Sequence, residues 1–286
     1  MQTKLPPYVL TILEKFEKAG FEIYVVGGAV RDLLLGRHDF DWDFTTNATP
    51  EEILKIFPEG FYDNQFGTVG ISHESSKHPY EITTFRREVG YSDKRHPDKV
   101  LWGKTLEEDL ARRDFIINAM GMTSDGKIID PFGGQEDLKS KIIRAVGDSV
   151  KRFNEDALRM MRAIRIASEI GFIIEDKTFE AIKMHATQIN QIAKERVKEE
   201  FFRILASGNP YEGMLMLHNS GLMQEIIPEF EEGFGVEQKS PGRHHIYDVA
   251  THSLLALKNC PSKNPLVRFA TLIHDIGKPR TQEIGE

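Results

Sequence analysis

The feature that most limits what this chain can fold into is a change of pattern near residue 135. Before it, short runs of β-branched and aromatic residues alternate with segments of helical spacing; beyond it, the strand signals vanish. In the first part, Tyr8 to Lys18 predicts a helix ended by Gly20, and Phe21 to Val26 a strand closed by Gly27-Gly28. Asp39 to Phe44 alternates acid and aromatic, the period of a strand, and Phe66 to Ser72 and Tyr80 to Phe85 predict two more. Thr49-Pro50-Glu51-Glu52 is a helix start, with Thr as cap, Pro at the first helical position and Glu three residues on. Residues 86–104 are charged, hold Gly90, Pro97 and Gly103, and predict a mobile loop. Thr105 to Met120 predicts a helix and Lys127 to Asp130 a short strand. Later, Val150 to Ile170, Asp176 to Ala186, Ala193 to Ala206, Tyr211 to Asn219 and Leu222 to Ile227 all predict helices, and Glu229 to Glu237 an acidic link. A sheet-bearing part followed by a helical part is a multidomain α+β chain. We expect an α/β head over 1–138, an all-helical neck and body over 139–230, and a partial helical domain over 231–286.

Charge and cysteine content narrow the function classes. Thirty-seven Lys plus Arg against 44 Asp plus Glu leave a net charge of -7, which excludes a uniformly basic nucleic-acid coat but not a local basic patch. Residues 139–165 are such a patch: eight Lys or Arg against three Asp or Glu, a net of +5. The competing reading is a charge-balanced surface sampled selectively. A single cysteine, Cys260, excludes a disulfide framework and a cysteine-built zinc site, and suits a reducing cytoplasm. The opening run carries charges through its apolar positions and reads as an amphipathic helix, not a signal peptide. No apolar stretch approaches the roughly 20 residues of a membrane span, so a soluble cytoplasmic protein is expected.

The sharpest local feature is Asp41-Trp42-Asp43. On a strand, alternate residues share a face, so both carboxylates project together and Trp42 points away. Two such acids repel unless a cation neutralises them, and hard divalent ions such as magnesium take these oxygens. The alternative is a solvated strand face. Just upstream, Gly27-Gly28-Ala29-Val30-Arg31-Asp32 follows a strand and opens a helix. Glycines there let backbone amides approach a phosphate, and Arg31 can clamp its oxygens; the alternative is a tight turn with Arg31 paired to Asp32 or another acid. Together the two elements describe phosphoryl or nucleotidyl transfer assisted by metal ions.

These residues resemble a known family. GGAVRD followed by DWDF is similar to the signature of class II tRNA nucleotidyltransferases (CCA-adding enzymes) and bacterial poly(A) polymerases, of the polymerase-β-like superfamily. The resemblance continues through Glu81-Ile82-Thr83-Thr84-Phe85-Arg86, through Leu106 to Met120, through Asp130-Pro131-Phe132-Gly133-Gly134, and through Glu155 to Arg165. It implies Mg²⁺ at Asp41 and Asp43, with Glu81 as a candidate third carboxylate. It also implies triphosphate contacts from Gly27, Gly28, Arg31 and Arg112, and a nucleotide-selecting helix carrying Asp156, Arg159, Arg162 and Arg165. Arg113 and Asp114 are read as a local ion pair that orients Arg112, and Asn118 as a mid-helix residue bonded to nearby backbone. The implied activity is addition of CCA, or its terminal A, to tRNA 3′ ends from CTP and ATP. Poly(A) synthesis and CC addition are the alternatives within the family.

The helix around Asp156 also reads independently. At 100° per residue from Asp156, the positions Val150, Phe153, Ala157, Met161 and Ile164 fall between about 60° and 140° and form a buried stripe. Arg159 and Arg162 lie off it, with Asp156 and Arg159 as an i,i+3 pair in the plainer reading. Arg165, at its margin, requires a partner such as phosphate or carboxylate. A carboxylate accepting from an exocyclic amine, beside a guanidinium donating to a ring nitrogen or carbonyl, suits cytosine and adenine and mismatches guanine and uracil.

The last segment resembles an HD domain, through Thr251-His252-Ser253 and His274-Asp275-Ile276-Gly277-Lys278-Pro279. The resemblance implies divalent-metal ligands at His252, His274 and Asp275. The HD pattern takes a further Asp downstream and none follows Asp275, so a truncated or vestigial domain is expected. His244 and His245 read as surface residues in a Gly-Pro turn. An HD-type phosphohydrolase, with the head as a nucleotide sensor, is the alternative function of another class.

Overall fold

The computed structural model of the protein describes residues 5–37, 41–62, 67–72, 79–91, 99–237 and 247–281. They divide into two units, Met1–Asp148 and Ser149–Glu286. Asp39, His244 and His245 lie outside the described residues.

The first unit opens with α1 (Pro7–Lys18), whose buried face is Val9, Ile12, Leu13 and Phe16 at helical spacing. Then follow β1 (Ile23–Val26), α2 (Gly28–Leu34), β2 (Asp43–Thr46), α3 (Pro50–Ile56), β3 (Phe61–Tyr62), β4 (Thr68–Ile71) and β5 (Tyr80–Thr84). α3 starts on the expected capping box: Thr49 accepts the N–H of Glu52 while Glu52 accepts that of Thr49. Next come β6 (Arg86–Val89), β7 (Lys99–Trp102), α4 (Leu106–Ala111), β8 (Gly121–Met122), β9 (Ile128–Ile129), α5 (Gly134–Ser140) and β10 (Ile142–Ile143). Seven strands form one sheet in the order β3-β4-β5-β2-β1-β8-β9. The β2–β5 pair is parallel, and the other pairings within this sheet are antiparallel. One sheet face is core, carrying Phe44, Val69 and Ile82, each at most 1% exposed.

Three expectations shift here. Among the described residues, the strand expected from Asp39 is hydrogen-bonded from Asp43, with Asp41 and Trp42 just ahead of it. The segment expected as a loop at 86–104 contains a two-stranded arm, β6 against β7, paired from Arg86↔Trp102 to Val89↔Lys99. Its β-formers Val100, Leu101 and Trp102 outweigh the flanking charges. The helix expected from Thr105 to Met120 stops at Ala111, and a single 3₁₀ turn, Ile116–Asn118, follows. Asp114 accepts the N–H of Phe115, a side-chain bond that competes with the helical ladder at that point.

In the second unit, α6 (Ser149–Glu155) and α7 (Leu158–Ile170) replace the one expected helix. The chain breaks at Asp156, whose carboxylate accepts the N–H of Leu158, so the continuous wheel from Val150 to Ile170 does not apply across the break. Past β11 (Ile173–Ile174) lie α8 (Asp176–His185), α9 (Lys194–Ala206), α10 (Pro210–Asn219) and α11 (Leu222–Ile226). The expected acidic link holds another short helix, α12 (Pro228–Glu231), with proline at its permissive first position. α13 (Val249–Lys258), α14 (Pro265–Ile273) and α15 (Lys278–Thr281) complete the unit. Among the described residues no helix is long and apolar enough to cross a membrane.

Gly213 lets α10 approach α7 and α9: a β-carbon there would lie 2.4 Å from Ile204 Cγ2 and 2.5 Å from Ser168 Oγ. Gly213→Ala is therefore expected to destabilise the second unit by about 1–3 kcal/mol through overpacking. Urea denaturation read by circular dichroism measures it; an unchanged midpoint would mean the helices separate without penalty.

Candidate active site

Residues that face each other in register across a sheet carry their side chains on one face. The row through Asp43 runs from Val26 on β1 to Asp43 on β2, Glu81 on β5 and Gly70 on β4. The parallel pairing of β2 and β5 thus sets the Asp43 and Glu81 carboxylates side by side, Asp43 part-buried and Glu81 exposed. Asp41 is exposed, and between the two aspartates Trp42 is buried at 3% exposure. Each offers oxygen, the chemistry that hard divalent cations accept, though the three carboxylates do not converge as a trio among the described residues.

β1 ends at the glycine pair. Gly27 has φ 74°, a conformation favouring glycine. A β-carbon there would lie 2.9 Å from Arg113 Nη1 and 3.6 Å from Asp43 Oδ2. The glycine backbone, a guanidinium and the Asp43 carboxylate therefore meet at one point. Arg113 Nε is buried with no hydrogen-bond partner among the described residues. A cationic donor beside a side-chain-free loop suits a phosphate oxygen.

The other arginines are more committed. Arg31 is buried; its Nε and Nη2 donate to the two Asp32 oxygens at 3.0 and 2.8 Å, and its Nη1 to Asn118 Oδ1 at 2.8 Å. The carboxylate partner left open from sequence is thus present. Asn118, expected to bond local backbone, instead links Arg31 to Asp114, donating from Nδ2 to Asp114 Oδ1 at 3.1 Å. Arg113 and Asp114, expected as an ion pair, have separate partners. Arg112 and Arg113 both reach Asp109: Arg112 donates from Nε and Nη2 to Oδ1 at 3.0 and 2.8 Å, and Arg113 from Nη2 to Oδ2 at 3.5 Å.

Asp109 is the residue that sequence reasoning passed over. It is fully buried. Burial alone would raise its pKa, but the guanidiniums of Arg112, Arg113 and Arg86 outweigh it and hold the carboxyl below its ordinary value of 3.8. The sequence signal was available: an acid three and four residues before two arginines on a short helix is an i,i+3 and i,i+4 pair.

In the second unit, Asp156 and Arg159 are both part-exposed. The plain i,i+3 pair between them is replaced by other partners. Arg159 Nη1 donates to Glu155 Oε2 at 3.1 Å, while Asp156 Oδ1 caps Leu158 and its Oδ2 lies 3.6 Å from Arg196 Nη2. Arg162 is part-exposed. Arg165 is buried, and its required partner is carboxylate: Glu200 at 2.6 Å and Glu169 at 2.7 Å. This guanidinium braces α7 against α9, and carboxylate is the partner it meets among the two left open from sequence.

The histidines converge. His252, His274 and Asp275 offer ligand atoms within 4.8 Å of one another, the one such trio among the described residues. His274 Nδ1 lies 2.7 Å from the Thr271 carbonyl, which assigns it the proton and turns the Nε2 lone pair towards His252 Nε2, 3.2 Å away. Lys278 Nζ sits 2.6 Å from Asp275 Oδ2 and competes for that oxygen.

The first unit is thus an acid-bearing mixed sheet with a glycine turn beside Asp43, and the second is helical. Residues 23–144 match the family described as "Poly A polymerase head domain", and residues 171–234 that described as "Probable RNA and SrmB- binding site of polymerase A". The CCA-adding enzyme of Lactobacillus helveticus is 46% identical over 222 residues, 77% of this chain and 55% of that protein. The crystal structure of the Bacillus stearothermophilus CCA-adding enzyme in complex with CTP matches with a TM-score of 0.73 at 33% identity, covering 96% of this chain and 72% of that one. A tRNA nucleotidyltransferase complexed with a primer tRNA and an incoming ATP analogue matches with a TM-score of 0.70 at 26% identity, covering 92% and 75%. The chain belongs to the poly(A) polymerase head and CCA-adding enzyme family. It spans about half the length of the curated relatives it matches.

Asp109→Asn would leave two guanidiniums facing a neutral amide. It is expected to destabilise the first unit by about 3 kcal/mol at neutral pH. Because the folded pKa is depressed, the carboxylate's contribution is complete above about pH 4 and falls as pH drops towards the folded value. Urea midpoints from pH 7 to pH 3 should show the gap between wild type and variant narrowing only at the acid end; a constant gap would refute the charge-based account.

Proposed function

We propose that this chain is a template-independent tRNA nucleotidyltransferase that adds CCA, or its terminal A, to tRNA 3′ ends from CTP and ATP. The observation that carries the reading is the meeting of Asp43, Arg113 and the Gly27 backbone at one point, with Glu81 in register beside Asp43. Family membership supports it, as does the activity named for the relatives. The segments 1–138, 139–230 and 231–286 would act as catalytic head, neck and body, and partial HD-like domain, in a reducing cytoplasm.

In this reading the Gly27-Gly28 backbone and Arg113 receive the triphosphate. Arg31 and Arg112 would contact it too, held in place by Asp32, Asn118 and Asp109. Mg²⁺ bound by Asp41 and Asp43 would supply charge neutralisation for the attacking and leaving oxygens. Glu81, one strand further on, faces the side from which the RNA 3′ hydroxyl attacks. Asp156 and Arg159 present an acceptor beside a donor set, which pairs with the amine and ring nitrogen of cytosine or adenine and leaves unpaired groups against guanine and uracil. Arg162 lies on the same helix as a further donor. Poly(A) synthesis and CC addition remain the sibling activities that product length separates. The trio at His252, His274 and Asp275 supports a second reading, a divalent-cation site in the last segment.

tRNA transcripts ending before CCA, after C, and after CC, each offered CTP, ATP or both, read the function directly as product length on a gel. Asp43→Asn is expected to reduce extension at least 100-fold; normal extension would sink the reading. His274→Ala should leave extension unchanged, and metal-stimulated phosphatase activity surviving Asp41→Ala and Asp43→Ala would favour the second reading. Asp156→Ala should relax discrimination against UTP and GTP more than it weakens triphosphate binding. Asp156→Asn keeps the helix cap but replaces one acceptor by a donor, so it should alter base choice without the loss of stability.

A further inference from the structure

The in-register row that joins Asp43 to Glu81 does not stop at Gly70. It ends on the edge strand at Phe61, the partner of Gly70. On β2, β5 and β4 the face shared by these residues is otherwise polar: Thr68 and Thr83 bond through their hydroxyls at 3.1 Å, and Thr45 donates to the Thr83 carbonyl at 3.1 Å. On the four strands concerned, Phe61 is the aromatic of that face, and it is 45% exposed. Its ring lies down over the neighbouring strand, for a β-carbon at Gly70 would sit 2.5 Å from Phe61 Cζ and 2.9 Å from Cε1 and Cε2. With strands about 4.8 Å apart, the ring tip stands about one strand from Glu81 and about two from Asp43.

We propose that Phe61 is a stacking platform for the terminal base of the RNA being extended; this rests on the reading in the preceding subsection and names a binding residue for its RNA substrate. The two sides of Asp43 are unlike. Towards β1 lie Gly27 and Arg113, the side suited to phosphate. Towards β5 lie Glu81, the bare backbone of Gly70 and the Phe61 ring. In an in-line displacement the attacking and leaving oxygens stand on opposite sides of phosphorus. A triphosphate held on the glycine side therefore brings the RNA end from the Phe61 side. A flat, part-exposed ring accepts the π-face of any base, which suits an RNA end whose last nucleotide changes as it grows. An aromatic ring over a cross-strand glycine also shields a sheet edge, so the test must separate cover from stacking.

The experiment uses the full chain, ATP, and a tRNA transcript ending in CC, alongside the same transcript with its terminal base removed. For wild type, the KM for RNA should rise about tenfold on base removal. For Phe61→Ala and Phe61→Leu, the KM for intact RNA should rise about tenfold, the KM for ATP should hold, and the effect of base removal should vanish. Phe61→Trp should behave as wild type. Gly70→Ala, whose β-carbon displaces the ring, should reproduce the Phe61→Leu behaviour with the ring present. Phe61→Leu keeps an apolar cover over Gly70 and decides the question if Phe61→Ala does not fold. A Phe61→Leu enzyme that still responds to base removal as wild type does would overturn the inference and leave the function intact. A raised KM for ATP with an unchanged KM for RNA would also overturn it, assigning the ring to the incoming nucleotide. No extension by wild type would overturn the function itself, and the inference with it.

Discussion

The head depends on one pairing, the parallel register of β2 with β5. Asp43 and Glu81 are 38 positions apart in the chain, and only that register makes them neighbours on one face. The pairing is secured from the opposite face, where Phe44 and Ile82 occupy the next positions of the same ladder and are buried. A slip of one residue would turn the acids into the core and the apolar pair into solvent, a change the burial of Phe44 and Ile82 opposes strongly. Hydrophobic packing thus holds two like charges side by side, an arrangement their own repulsion would undo and a bound cation or cationic side chain would relieve.

Around this pairing the structure distributes its arginines in different states. Arg31 and Arg112 each make paired bonds to a neighbouring carboxylate, while Arg113 makes one long bond to Asp109 and turns Nη1 to Gly27 and Asp43. The buried Asp109 carries much of this arrangement. A lone carboxylate there would bear a large desolvation penalty, and the converging guanidiniums compensate it. In the second unit Arg165 repeats the pattern with Glu169 and Glu200, a buried cation satisfied internally.

Local signals in the sequence translated well where one short-range interaction decides. The capping box at Thr49 and the buried stripe of α1 are set by neighbours three and four residues apart. The glycine pair followed by a helix was also legible, because the φ of Gly27 belongs to few other residues. The expectations that shifted were those in which a side chain overrides a periodic pattern. Asp114 and Asp156 each bond a nearby backbone N–H and end or interrupt a helix that hydrophobic spacing alone would continue. Residues 86–104 shifted for the reverse reason: β-forming side chains pair across a gap that charge made look irregular.

By itself, then, the sequence determined the class of fold, the capped helix start and the glycine turn that follows β1, because alternation, helical spacing and glycine's backbone freedom act between residues close in the chain. Tertiary structure alone decided which distant groups meet: Glu81 and Phe61 on the row of Asp43, Arg113 at Gly27 beside Arg31 at Gly28, and Asp109 as the buried anchor of two arginines. Strand register and the burial of a charge are settled by the whole sheet and core at once, and no local window of sequence contains the partners that settle them.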